Sequence, residues 1–188
     1  MVKFREMIAF YVGAKYADDF SVDKVLQQKE IKEKVEQGKS IILTGSTGSG
    51  KTMSLIYIAY LKYMQYEKKR IILEAEGEQP PIYRVSWHHS SDLTHKIVND
   101  EKVKHNYHDN TIFIDDFGIF PYRTYDKEYF FAQLDALFER VMSSKITCYV
   151  STNFTKEKLE QYTRIISRLK QDGSLFNTGR EDRRKGTR

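Results

Sequence analysis

Cysteine is nearly absent from this 188-residue chain: Cys148 stands alone. One thiol cannot build a disulfide framework within a chain, which points to a reducing cytosol and a cytoplasmic protein. No apolar run approaches the length of a membrane span, and the charged opening Met1-Val2-Lys3-Phe4-Arg5-Glu6 carries no signal-peptide pattern. A membrane is therefore not expected as a partner. Histidine is scarce, with five residues all between His88 and His108. Their spacing suits a metal poorly. His88 and His89 are adjacent, His105 and His108 form a loose pair, and neither a second cysteine nor a His-Glu-x-x-His helix accompanies them. They read as polar surface residues. Net charge is missing from most of the sequence. Residues 164–188 hold eight Lys/Arg against three Asp/Glu, which accounts for the whole excess of +5. That points to a polyanion partner at this end, either nucleic acid or nucleotide phosphate.

What is present is enough for one domain with a real core, since 40% of the residues are hydrophobic. The organising stretch is Gly45-Ser46-Thr47-Gly48-Ser49-Gly50-Lys51-Thr52, which fits G-x-x-x-x-G-K-[ST]. An apolar strand candidate, Ser40-Ile41-Ile42-Leu43-Thr44, precedes it, and an apolar helix candidate from Met53 to Tyr66 follows. Glycines let such a loop curl so that successive N–H groups face one anion, and the helix N-terminus adds partial positive charge. In this context Lys51 is expected at the β- and γ-phosphates of ATP, and the Thr52 hydroxyl on magnesium.

The second decisive stretch is Thr111-Ile112-Phe113-Ile114-Asp115-Asp116-Phe117-Gly118, a buried strand ending in two carboxylates. Successive strand residues point oppositely. One carboxylate, Asp115, can hold magnesium while the other, Asp116, addresses the attacking water.

Around these motifs the pattern predicts an α/β alternation. Phe4, Met7, Ile8 and Tyr11 have helical spacing, and Val22, Val25, Leu26, Ile31 and Val35 suggest further short helices before Gly38. Ile71-Ile72-Leu73 and Ile82-Tyr83-Arg84-Val85-Ser86-Trp87 both read as strands, separated by a Gly77/Pro80/Pro81 turn. A helix start is expected at Ser90/Ser91-Asp92. Lys96, Lys102, Lys104, His105, Tyr107 and His108 mix cations with an aromatic ring, a mixture that can track a nucleic-acid strand or form an ordinary exposed loop. Asp126 to Met142 reads as a helix, Thr147 to Ser151 as a central strand, Lys156 to Tyr162 as a short helix and Ser174 to Asn177 as a last strand.

In order behind the phosphate loop stand Asp115-Asp116-Phe117-Gly118, Ser151-Thr152-Asn153 and Ile166-Ser167-Arg168-Leu169. Over about residues 20 to 184 the sequence resembles AAA+ ATPases of the DnaC/DnaI/IstB helicase-loader type. The resemblance implies that Asn153 is the sensor that positions the lytic water. It implies that Arg168 is an arginine finger acting on ATP held by the next subunit of a homo-oligomer. It implies a later sensor arginine, with Arg183 the nearest match and Arg180 the second. Too few residues precede Gly45 for a helicase-gripping domain as well as the usual lead-in, so it implies an ATPase module alone, as in a phage or mobile element or in a fragment.

The expected architecture is a three-layer α/β P-loop NTPase of AAA+ type. It has a mainly parallel five-stranded sheet in the order 5-1-4-3-2 and no lid. A helical lead-in occupies 1–39, the ATPase domain 40–179 and a basic tail 180–188. The expected function is a DNA-replication ATPase binding single-stranded DNA, with a replicative helicase or another replication or recombination protein as partner. An IstB-like transposition ATPase on duplex DNA is the alternative. A P-loop kinase of a small metabolite and a nucleotide-binding adaptor without turnover are further classes, which the Asn153 and Arg168 stretches and the paired Asp respectively argue against.

Overall fold

A computed structural model describes residues 2–25, 27–80, 82–83, 85–93, 111–118, 146–155 and 173–179, with isolated helical positions at 132, 135, 136, 139, 143 and 167. Five strands form one sheet: β1 (Ile41–Thr44), β2 (Ser86–His89), β3 (Thr111–Phe117), β4 (Thr147–Thr152) and β5 (Ser174–Asn177). Their order is β2-β3-β4-β1-β5, and every neighbouring pair is parallel. This is the expected order 5-1-4-3-2. The cause is visible in Ile41-Ile42-Leu43, Ile112-Phe113-Ile114 and Cys148-Tyr149-Val150. These are continuous apolar runs with every residue buried, as strands covered on both faces must be. Trp87, Phe113 and Tyr149 are register partners and stack in one row across three strands, with ring centroids 5.0 and 5.2 Å apart.

Four helices are described in full: α1 (Val2–Tyr11), α2 (Ala14–Asp19), α3 (Gln28–Glu36) and α4 (Lys51–Ala75). Helix α4 leaves the phosphate loop with Leu55, Ile56, Tyr57, Ile58 and Ala59 all buried, so the stretch after its polar first turn is covered on every side. The lead-in covers it. Phe4 and Ile8 of α1 and Ile31 and Val35 of α3 join the same core as Tyr57 and Tyr63. Phe4 meets the rings of Phe20, Tyr60 and Tyr63 at 5.4–5.7 Å. None of the described helices is long and apolar enough to cross a membrane.

Two expectations need correction. Ile71-Ile72-Leu73 is not a strand but the end of α4. Arg70 pairs with Glu67 at 3.0 Å and with Glu74 at 2.6 Å, and these i,i+3 and i,i+4 contacts carry the helix through its polar turn. The helix stops at Gly77, which takes a φ of 78°. The Glu78 N–H returns to the Leu73 carbonyl at 2.8 Å and the Gly77 N–H to Glu74 at 3.2 Å, a Schellman closure. Strand β2 begins only at Ser86, so Ile82, Tyr83 and Val85 are not part of it. The chain is helical from Ser90, where a helix start is expected. The helix expected over 126–142 falls mostly outside the described residues, though positions 132, 135, 136 and 139 are helical. The Lys156–Tyr162 segment, the Lys96 to His108 loop and Arg168, Arg180 and Arg183 lie outside the described residues.

Candidate nucleotide site

Strand β1 delivers the chain into the loop at the carboxyl end of the sheet, where open parallel sheets bind ligands. Gly45 turns there with a φ of 148°. A β-carbon on it would lie 2.5 Å from Thr178 Oγ1, 2.7 Å from Ser49 Oγ and 2.9 Å from the Gly179 carbonyl oxygen. Only glycine fits. The loop closes with the Ser49 N–H donating to the Ser46 carbonyl at 3.2 Å, and α4 starts at Lys51. The Lys51 ammonium is folded back into the loop, donating to the carbonyls of Gly45 at 2.9 Å and Ser46 at 2.7 Å. It is therefore buried at the helix N-terminus, beside the N–H groups that an anion would meet.

The second half of the site comes from β3. Opposite Ser151 of β4, the register slips between Ile114 and Phe117, so that Asp115 and Asp116 together face one residue. This is a β-bulge, and Asp116 takes the left-handed conformation with a φ of 55°. The regular alternation expected of this strand end thus fails at the acid pair. Asp115 is buried and Asp116 only half-buried. The Thr52 hydroxyl donates to Asp115 Oδ1 at 3.3 Å, and the Asp116 N–H reaches the same oxygen at 3.2 Å. The Ser151 hydroxyl also donates to Asp115 Oδ1, and its oxygen accepts the Asp116 N–H at 2.9 Å. His89, the register partner of Asp115 on β2, places Nδ1 4.0 Å from Oδ2. Burial pushes the Asp115 carboxyl above its ordinary range, opposed by the Ser151 hydrogen bond.

The residues assigned to magnesium from sequence, Thr52 and Asp115, are thus hydrogen-bonded to each other across 63 positions of chain. Their hydroxyl and carboxylate are hard oxygen donors, a set that suits Mg²⁺. Asn153 is exposed one residue beyond β4, the strand that lies between β1 and β3. It therefore emerges between the phosphate loop and the acid pair. His88 departs from the surface position expected of it: it is a buried residue of β2. Among the described residues no cluster of three or more His, Cys, Asp or Glu could hold a metal. Ser151 received no role from sequence, although it opens the Ser151-Thr152-Asn153 stretch that carries the resemblance.

No protein-family model matches the chain, and no curated protein matches it. Solved structures do. An AMPPCP-bound DnaA from Aquifex aeolicus aligns at 19% identity with a TM-score of 0.51, over 79% of this chain and 44% of that one. The DnaC helicase loader aligns at 15% identity with a TM-score of 0.56, over 87% of this chain and 98% of that one. The chain thus spans less than half the length of that DnaA. What these likenesses establish is the fold: a parallel α/β sheet carrying a phosphate loop, shared with both structures.

Proposed function

We propose that this chain binds ATP with magnesium at residues 45–52 and hydrolyses it to ADP and phosphate, as a replication ATPase of the helicase-loader kind. The observation that supports the reading is the Thr52–Asp115 hydrogen bond beside the buried Lys51, which brings the ends of the two motifs together. Lys51 would leave the loop carbonyls for the β- and γ-phosphates. Thr52 would ligate magnesium through its oxygen while its O–H still donates to Asp115, the carboxylate that would help hold the ion. Bound there, magnesium would offset the negative charge that develops on the transferred phosphoryl group. Asn153 would orient the water, and Asp116 would take up its proton as the water oxygen bonds to the γ-phosphorus and the bond to ADP breaks. Arg168 would act on the ATP of the neighbouring subunit in a homo-oligomer, and Arg183, or Arg180 in its place, on the phosphates of its own.

The net positive charge at 164–188 supports a nucleic-acid partner, and the likeness to a helicase loader supports single-stranded DNA and a replicative helicase. The test is calorimetry of ATP binding and phosphate release, with and without single-stranded DNA. Lys51→Ala should lose measurable ATP binding while staying folded; parental affinity in that variant would refute the site. Release of a phosphorylated metabolite instead of free phosphate would replace this reading with the kinase. A preference for duplex over single strands would replace it with the transposition ATPase. In either DNA reading affinity should fall steeply with salt.

A further inference from the structure

The acid pair sits on a bulge, and a bulge leaves backbone groups without their ladder partners. Ser151 is the one β4 residue opposite the two extra positions, and it is fully buried. A hydroxyl has one proton and two lone pairs. Because the Asp116 N–H donates to the Ser151 oxygen at 2.9 Å, the Ser151 proton goes to Asp115 Oδ1. One side chain thus bridges both acids. It occupies the place of the displaced ladder acceptor for Asp116, and it orients the carboxylate of Asp115. Oδ1 of Asp115 collects three donors in all, from Ser151, Thr52 and the Asp116 N–H. That saturates one oxygen and turns the other, Oδ2, toward His89.

A second tie follows one residue on. The Thr152 hydroxyl donates to the Phe117 carbonyl at 2.7 Å, and its oxygen accepts the Phe154 N–H at 3.1 Å. The Phe154 ring then covers Gly118, where an added β-carbon would come within 2.3 Å of Cζ. Asn153 lies between these pins. The end of β4 and the bulge of β3 are fastened on both sides of the acid pair.

Resting on the ATPase reading above, we propose that Ser151 is the positioning residue of the acid pair: its hydroxyl aims Asp115 at the Thr52 metal site and locks Asp116 to the strand that carries Asn153. A purely structural serine would affect stability and leave the metal requirement alone. The two are separated by Ser151→Ala, with Val150→Ala as a control that truncates the adjacent buried residue. Groups that orient a metal-binding carboxylate are typically worth about ten- to a hundredfold in metal affinity or activity. Ser151→Ala should therefore shift the Mg²⁺ midpoint of ATP turnover upward by about tenfold and lower kcat, with KM for ATP within about twofold. Ser151→Thr, which keeps the hydroxyl, should recover the Mg²⁺ midpoint even if its methyl group lowers Tm. Val150→Ala should lower Tm without moving that midpoint. A parental Mg²⁺ midpoint in Ser151→Ala, or an equal shift in Val150→Ala, overturns the proposal. If the parent protein hydrolyses no ATP, the ATPase reading fails by itself. The Mg²⁺ dependence of binding a fluorescent ATP analogue then tests Ser151 by the same comparison.

Discussion

Ser49 Oγ and Thr178 Oγ1 lie 2.7 Å apart, both buried, and fasten the phosphate loop to the residue after β5. The Thr178 hydroxyl donates to the Thr44 carbonyl at 2.9 Å, so Ser49 is the donor between the two. The Ser46 N–H adds a longer bond of 3.3 Å to the Gly179 carbonyl. The base of the loop is thereby held by the far end of the chain, whose basic run starts at the next residue, Arg180.

Thr178→Val keeps the shape and removes the hydroxyl. It leaves Ser49 without this acceptor in a buried place, while the Thr44 carbonyl keeps the bond from the residue-178 N–H at 2.8 Å. Loss of one partner of a buried polar group costs about 1–3 kcal/mol. Urea denaturation should show that loss, and calorimetry should show weaker ATP binding because the loop base loosens. An unchanged midpoint would mean that water replaces the hydroxyl.

Asp116→Asn separates the carboxylate from the backbone. Asn tolerates the left-handed conformation about as well as Asp, so the φ of 55° should survive the change. The Asp116 N–H bonds to Ser151 and Asp115 are also kept. Stability should stay within about 0.5 kcal/mol of the parent. ATP turnover should fall by about a hundredfold or more, since an amide takes up no proton. Parental turnover in the variant would remove Asp116 from the reaction.

How far the sequence carried can be read from particular residues. The phosphate loop was legible because glycine spacing and Lys51-Thr52 state a backbone geometry directly. A mainly parallel sheet was legible in three fully apolar strands, whereas its order came from the resemblance to AAA+ ATPases. Ile71 to Leu73 misled, because three apolar residues satisfy either period. The Arg70 pairs that keep them helical act across the polar turn that looks like a break. Strand β2 was placed too early because Ser-Trp-His-His does not look like a core strand, yet three of its four residues are buried. The bulge at Asp115 and Asp116 had no sequence signature, because a two-against-one register belongs to the pairing of two strands and not to either one.

Tyr149→Phe tests the core independently of any chemistry. The Tyr149 ring is fully buried in the aromatic row, and its hydroxyl is buried with no hydrogen-bond partner among the described residues. Burial pushes the phenol well above its ordinary range, so it stays neutral. Removing an unsatisfied buried hydroxyl should stabilise the protein by about 1 kcal/mol. The check is chemical denaturation of both proteins under one condition; a destabilised Phe variant would show that the hydroxyl is satisfied in solution.

Asp115→Asn should set stability against function. Burial raises the Asp115 carboxyl above its ordinary value in the folded protein, so the folded chain binds that proton more tightly than the unfolded chain does. The sign follows. The stability this group contributes is fully present below the ordinary carboxylate range, and it is lost as pH rises through the raised folded value. Above that raised value the nucleotide-free parent therefore bears the full cost of a buried negative charge. Asn has no such titration, and its amide oxygen can still accept from Thr52 and Ser151. The stability of Asp115→Asn relative to the parent should rise with pH from the ordinary carboxylate range through the raised folded value and level off above it, favouring the variant there. Magnesium and ATP should reverse the order, since ligand binding stabilises only the form that holds it and the parent binds the metal better. Denaturation midpoints of both proteins across that pH range, with and without Mg²⁺ and ATP, give the four curves needed. A variant less stable than the parent above the raised value without ligand would mean that the hydrogen bonds to Asp115 outweigh its desolvation.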